Sequence, residues 1–112
     1  LADALNKMPS QLSGGMRKRI SLARTIIVDP QIMLYDEPTT GLDPVTSDEI
    51  SVLINEVKEK YKTSSIIITH DIKCALNTAD RIVMLNDGTI YKEGSPEEFT
   101  SSDDKLIKSF FN

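Results

Sequence analysis

Cysteine, histidine and long apolar runs are all scarce in this sequence, and each scarcity closes off a class of protein. The single cysteine, Cys74, excludes an internal disulfide framework and fits a reducing compartment. One histidine, His70, and that one thiol cannot together build a transition-metal site of ordinary ligand count. Apolar runs such as Ile26-Ile27-Val28 and Ile66-Ile67-Ile68 fall far short of the roughly twenty residues a membrane-spanning helix needs. Basic charge is short as well. Thirteen Lys and Arg against seventeen Asp and Glu leave a net charge of −4, the wrong sign for binding nucleic acid over the whole surface. With 112 residues and 39% apolar content, one domain with a modest core is expected. Leu1 stands where a Met would open a complete chain, and no basic-then-apolar leader follows it, so a processed product or a piece of a longer protein is the expectation.

What is present alternates helical and strand periodicity. Residues 1–12 are weakly helical up to Met8-Pro9. From Ser13 a helix is expected, with Met16, Ile20, Ala23 and Ile27 on one stripe, Arg17, Lys18, Arg19 and Arg24 on other faces, and a stop at Asp29-Pro30. Ile32 to Tyr35 reads as a strand buried on both faces. Asp43-Pro44 is a cap followed by a first-turn proline, opening a helix whose buried face carries Ile50, Leu53, Ile54, Val57 and Tyr61. Ser65 to Thr69 is a second doubly buried strand, and a short helix with Ile72, Ala75, Leu76 and Ala79 on one side follows it. Asn86-Asp87-Gly88 joins two strands as a hairpin. Ser95-Pro96-Glu97-Glu98 is a capping box before a last helical region ending in Leu106, Ile107, Phe110 and Phe111. This order describes an α/β fold with a mainly parallel sheet and an antiparallel hairpin. Ligands of such sheets sit at the carboxyl ends of the strands. Here those ends carry Asp36-Glu37 and His70-Asp71.

Three groups of residues suit phosphate chemistry. Asp36 and Glu37 are adjacent on a strand end and so point apart; one can hold hydrated Mg²⁺ while the other reaches an attacking water, or the two are merely an acidic cap. Ser13-Gly14-Gly15 at a helix start offers backbone N–H groups to an anion, with Arg17, Lys18 and Arg19 nearby, or it is an ordinary serine cap. His70, at a strand end, could donate to a phosphate oxygen, although a lone histidine is more often structural.

In order, Leu12-Ser13-Gly14-Gly15-Met16, Ile32-Met33-Leu34-Tyr35-Asp36-Glu37-Pro38, Thr40-Gly41-Leu42-Asp43 and Ile68-Thr69-His70-Asp71 resemble the signature motif, Walker B strand, D-loop and H-loop of an ATP-binding cassette (ABC) ATPase. The resemblance runs from Gln11 to the C-terminus. It implies the C-terminal part of a P-loop NTPase fold over 1–112, with 1–12 a remnant of the helical subdomain. It further implies ATP and Mg²⁺ as cofactors, with Asp36 on the metal and Glu37 as general base. His70 would touch the γ-phosphate, Ser13, Gly14 and Gly15 the nucleotide of a second ATPase subunit, and Asp43 the dimer seam. Transmembrane permease subunits, and a place on the cytoplasmic face of the inner membrane, follow from the same resemblance.

Two departures stand out. Met16 occupies the place where the signature carries Gln, and Met16-Arg17-Lys18-Arg19 resembles the lipid-trafficking importers of the Mla, or Mce-associated, type. No Gly-x-x-x-x-Gly-Lys-Ser/Thr occurs, so the P-loop and the Gln-loop are expected to lie upstream of Leu1. The 112 residues alone are then expected to be inactive and to self-associate, through uncovered sheet or by exchange of an element. A DNA-repair or chromosome-structural ATPase is the alternative, against which the missing heptads and the acidic balance count. An assembly module without activity is the other.

Overall fold

The computed structural model describes residues 14–111, so Ser13 and the expected 1–12 remnant lie outside the described residues. The first helix, α1 (Gly14–Ile26), stops where Asp29 turns left-handed (φ 54°) ahead of Pro30. Ile27 and Val28 therefore fall beyond the helix and are exposed, which removes Ile27 from the expected buried stripe.

Strand β1 (Ile32–Asp36) pairs in parallel with β2 (Ser64–Ile68), in a register running from Ile32 opposite Ser64 to Asp36 opposite Ile68. The connection between them carries α2 (Pro44–Tyr61), a helix long enough to bridge parallel strands. Asp43 caps it through the Thr46 amide, Pro44 fits its first turn, and Lys62 ends it in the left-handed region (φ 53°). Ile50, Ile54 and Val57 are buried with Met33 of β1, and Met33, Ile50 and Ile54 border one small cavity with Leu22 of α1.

The strands are not buried on both faces. Met33 is buried and Tyr35 half-buried, whereas Ile32, Leu34, Ile66 and Ile68 are exposed. Two strands with helices against one side cover only alternate residues, because successive side chains point to opposite faces. The unbroken run of apolar residues thus supplies a second apolar face that stays largely exposed.

The C-terminal region is built differently. Helix α3 (Ile72–Thr78) is capped by Asp71, and strands β3 (Ile82–Asn86) and β4 (Thr89–Gly94) form an antiparallel hairpin. Asp87 and Gly88 both have positive φ, as a two-residue hairpin turn requires. The hairpin is a sheet of its own rather than an edge of β1–β2. An apolar trench of about 470 Å³, bordered by Ile66 and Ile68 on one side and Ile82 and Met84 on the other, lies between the two sheets. Ser95 caps α4 (Pro96–Thr100), and α5 (Lys105–Phe111) follows after a break. The expected single helical region splits there because the Asp104 carboxylate accepts the amides of Leu106 and Ile107 and starts a new helix. Phe99, Ile107 and Ile82 form the core beneath the hairpin, with Ala75, Leu76, Ala79, Met84 and Phe111 packed against it. Among the described residues no helix is long and apolar enough to cross a membrane.

Candidate active site

The parallel pairing of β1 with β2 brings Asp36 opposite Ile68 and so delivers Glu37 and His70, thirty-three positions apart, to the same sheet end. His70 Nδ1 lies 3.0 Å from the Glu37 carboxylate. A carboxylate only accepts, so this contact fixes the proton on Nδ1 and leaves Nε2 as the ring nitrogen open to another partner. The pairing shifts both groups in the directions expected of it. The hydrogen bond from His70 lowers the Glu37 pKa, with help from the Thr40 hydroxyl, and the bond to Glu37 raises that of His70. Both side chains remain open to solvent, His70 largely so.

Glu37 sits at φ 49°, in the left-handed region that a non-glycine residue enters at a cost of about 1–2 kcal/mol. Several contacts hold it there. Its N–H donates to the Ile68 carbonyl at 2.7 Å, which extends the β1–β2 ladder by one residue. The Thr40 hydroxyl donates to Oε2 at 3.1 Å, and the Thr40 amide reaches back to the Glu37 carbonyl at 3.3 Å. Lys18 Nζ, from α1, donates to that same carbonyl at 3.1 Å. Non-glycine residues kept in this region by their surroundings concentrate at functional sites.

Asp36, at the end of β1, is exposed. Among the described residues no three His, Cys, Asp or Glu side chains gather closely enough to cage a metal ion. A single exposed carboxylate suits Mg²⁺, which keeps most of its water and takes further oxygen ligands from phosphates.

The loop after Glu37 is rigidified toward β2. Thr39 is buried, and its hydroxyl donates to Asp71 Oδ2 at 2.7 Å. Asp71 accepts the Cys74 amide at its other oxygen, and the Thr39 bond is the main cause of its lowered pKa. Gly41 has φ 79°, which makes glycine the natural occupant of that turn. Asp43 accepts from both the amide and the hydroxyl of Thr46, so in this chain its carboxylate is engaged as a helix cap.

Gly14 and Gly15 lie against this loop. A Cβ at Gly14 would come within 2.9 Å of Leu42, and one at Gly15 within 2.5 Å of Thr46. The glycine pair thus lets α1 pack closely against Leu42 and the start of α2, most tightly at Gly15. Of the residues singled out from sequence, the structure joins Glu37 to His70, sets Asp36 beside them, and stacks Gly14 and Gly15 over the Leu42–Thr46 turn. Ser13 lies outside the described residues. Lys18 was expected only as a cation near an anion site and Thr40 and Asp71 only as members of motifs, while Thr39 was not singled out. Thr40 alone had a local signal, three positions after Glu37; the other contacts join residues 19 and 32 positions apart.

The ABC transporter family profile matches residues 1–40. Over 93% of its length the chain is 42% identical to the energy-coupling factor transporter ATP-binding protein EcfA3 of Oenococcus oeni, covering 36% of that protein. It is 40% identical over 91% of its length to the glutamine transport ATP-binding protein GlnQ of Geobacillus stearothermophilus, covering 42% of it. It is 38% identical over 98% of its length to the intermembrane phospholipid transport system ATP-binding protein MlaF of Haemophilus influenzae, again covering 42%. The chain therefore spans about two fifths of the length of these curated relatives.

Proposed function

From the premise that the chain is ABC-type ATPase sequence, with the α/β fold of the C-terminal part of that ATPase, we propose that it is the half of a nucleotide-binding domain that carries the hydrolytic groups. The observation that carries this reading is the Glu37–His70 pair, held by a left-handed Glu37 at the joint end of two parallel strands. Glu37 accepts a proton from the water that attacks the γ-phosphate of ATP. As the imidazolium that its contact with Glu37 favours, His70 donates Nδ1–H to the Glu37 carboxylate and Nε2–H to a phosphoryl oxygen. Asp36 would hold Mg²⁺ through water, and the ion would there supply charge neutralisation to the phosphate oxygens. Ser13, Gly14 and Gly15 face the nucleotide of a second ATPase subunit, and Asp43 lies at the seam between them. Permease subunits complete the transporter at the cytoplasmic face of the membrane. For the cargo, Met16-Arg17-Lys18-Arg19 together with the MlaF relative favours a phospholipid.

The phosphate-cradling P-loop comes from sequence outside these 112 residues, since none lies within them. Positioning of the triphosphate supplies much of the catalysis in this chemistry. The 112 residues alone therefore hydrolyse ATP at background rate and self-associate through the bare face of β1–β2. The test is Glu37→Gln in the full-length ATPase. Glutamine keeps the shape but cannot take a proton, so ATP binding is retained while turnover falls about 10²–10⁴-fold. Normal turnover would remove Glu37 as the base.

A further inference from the structure

Glu37 needs its carbonyl held as well as its carboxylate. A strand residue that turns left-handed rotates its carbonyl out of the ladder, and a carbonyl so displaced must find another donor. In this chain the Glu37 N–H still continues the ladder to Ile68, but the carbonyl is received by the Thr40 amide at 3.3 Å and by Lys18 Nζ at 3.1 Å. The lysine contact is the shorter of the two and the only one of them that comes from another helix. It is partly buried, and α1 is anchored beside it by the Arg19–Glu49 ion pair to α2 and by the fit of Gly15 over Thr46.

We propose that Lys18 is a positioning residue for Glu37: its Nζ locks the Glu37 peptide in the left-handed turn that presents the carboxylate to His70, and it thereby ties the helix that begins at Gly14-Gly15 to the hydrolytic group. This rests on the reading of Glu37 as the base. Lys18 touches neither water nor phosphate in this role; it acts through the backbone of the residue that does. Without it, the peptide can rotate toward ordinary extended geometry, which relieves the strain and swings the carboxylate away from His70. Nucleotide affinity, set by groups elsewhere, stays as it was.

The experiment compares wild type, Lys18→Met, Lys18→Arg and Glu37→Gln in the full-length ATPase, measuring kcat, KM for MgATP and equilibrium ATP binding. Methionine keeps length and apolar stem but cannot donate, and arginine can still reach a carbonyl. Lys18→Met is expected to lose about tenfold or more in kcat, the loss of a hydrogen bond from a charged donor, with KM within about twofold of wild type. Lys18→Arg is expected to recover most of that loss. With Glu37→Gln inert, wild-type kcat in Lys18→Met would overturn the role of Lys18 alone. A loss shared equally by ATP binding and not rescued by arginine would reduce Lys18 to a packing residue and also overturn it. Normal turnover in Glu37→Gln would overturn the base assignment itself, and this proposal with it.

Discussion

Phe99 and Ile107 are sealed at 0% and 1% exposure beneath the hairpin, while Ile32, Leu34, Ile66 and Ile68 stand 52–67% exposed on the strands that deliver the candidate chemistry. The hairpin end closes its own core with α3, α4 and α5. The β1–β2 end buries one face and leaves the other bare, and two parallel strands are fewer than a sheet normally needs to stand alone. Each end has buried residues of its own, Met33, Ile50, Ile54, Val57 and Cys74 at one and Ile82, Phe99 and Ile107 at the other. Glu37 and His70, the proposed hydrolytic groups, sit on the end whose second sheet face is exposed.

The largest effect should come from the sealed end. Phe99→Ala removes a fully buried ring that stacks against Phe111 at 5.1 Å between centroids, and is expected to cost about 3–5 kcal/mol in denaturant unfolding. Hydrogen exchange should show protection lost first in β3 and β4. Equal loss in β1 and β2 would mean that the two regions form one cooperative unit.

A smaller effect is expected where the loop after Glu37 meets α3. Thr39→Val deletes the donor to Asp71, for about 1 kcal/mol or less once the water around Asp71 is allowed for. The pH dependence has a definite sign. The Asp71 pKa is depressed in the folded chain, so its contribution is full above the ordinary carboxylate pKa and disappears as pH falls through the folded value. The difference between wild type and Thr39→Val should therefore shrink in acid. A gap that held constant below the carboxylate range would show that Asp71 is not the group through which Thr39 acts.

The smallest stability change belongs to the bare face. Leu34→Ser and Ile66→Ser should each alter the folding stability of the 112-residue chain by no more than about 0.5 kcal/mol, while sedimentation shows less self-association. A loss of several kcal/mol would mean that this face is covered after all, and the contrast between the two regions would fail.

The same contrast explains what the residues disclosed. Elements set by neighbours in sequence were legible: Asp43-Pro44 caps α2, Asp87-Gly88 turns the hairpin and Ser95 caps α4. Both doubly apolar strands were legible as strands but not as half-covered ones, because apolar composition records what a face can bury and not whether a partner lies within the chain. The break before α5 was missed because Asp104 competes with helix continuation through its own side chain. At the site, Glu37 and His70 could be named as strand ends, but their contact depends on the register of β1 against β2. The Lys18 contact was out of reach, since it is made to a carbonyl exposed by a left-handed residue that no residue type announces.

The central claim is that Glu37 and His70 act as one unit on ATP. A double-mutant cycle in the full-length ATPase measures it most directly, with turnover determined for Glu37→Gln, His70→Ala and the two combined. Groups that act as a unit lose most of their effect with the first substitution. The account predicts that the double variant is no slower than Glu37→Gln alone. Turnover losses that simply multiply would show two independent residues, and would contradict the account.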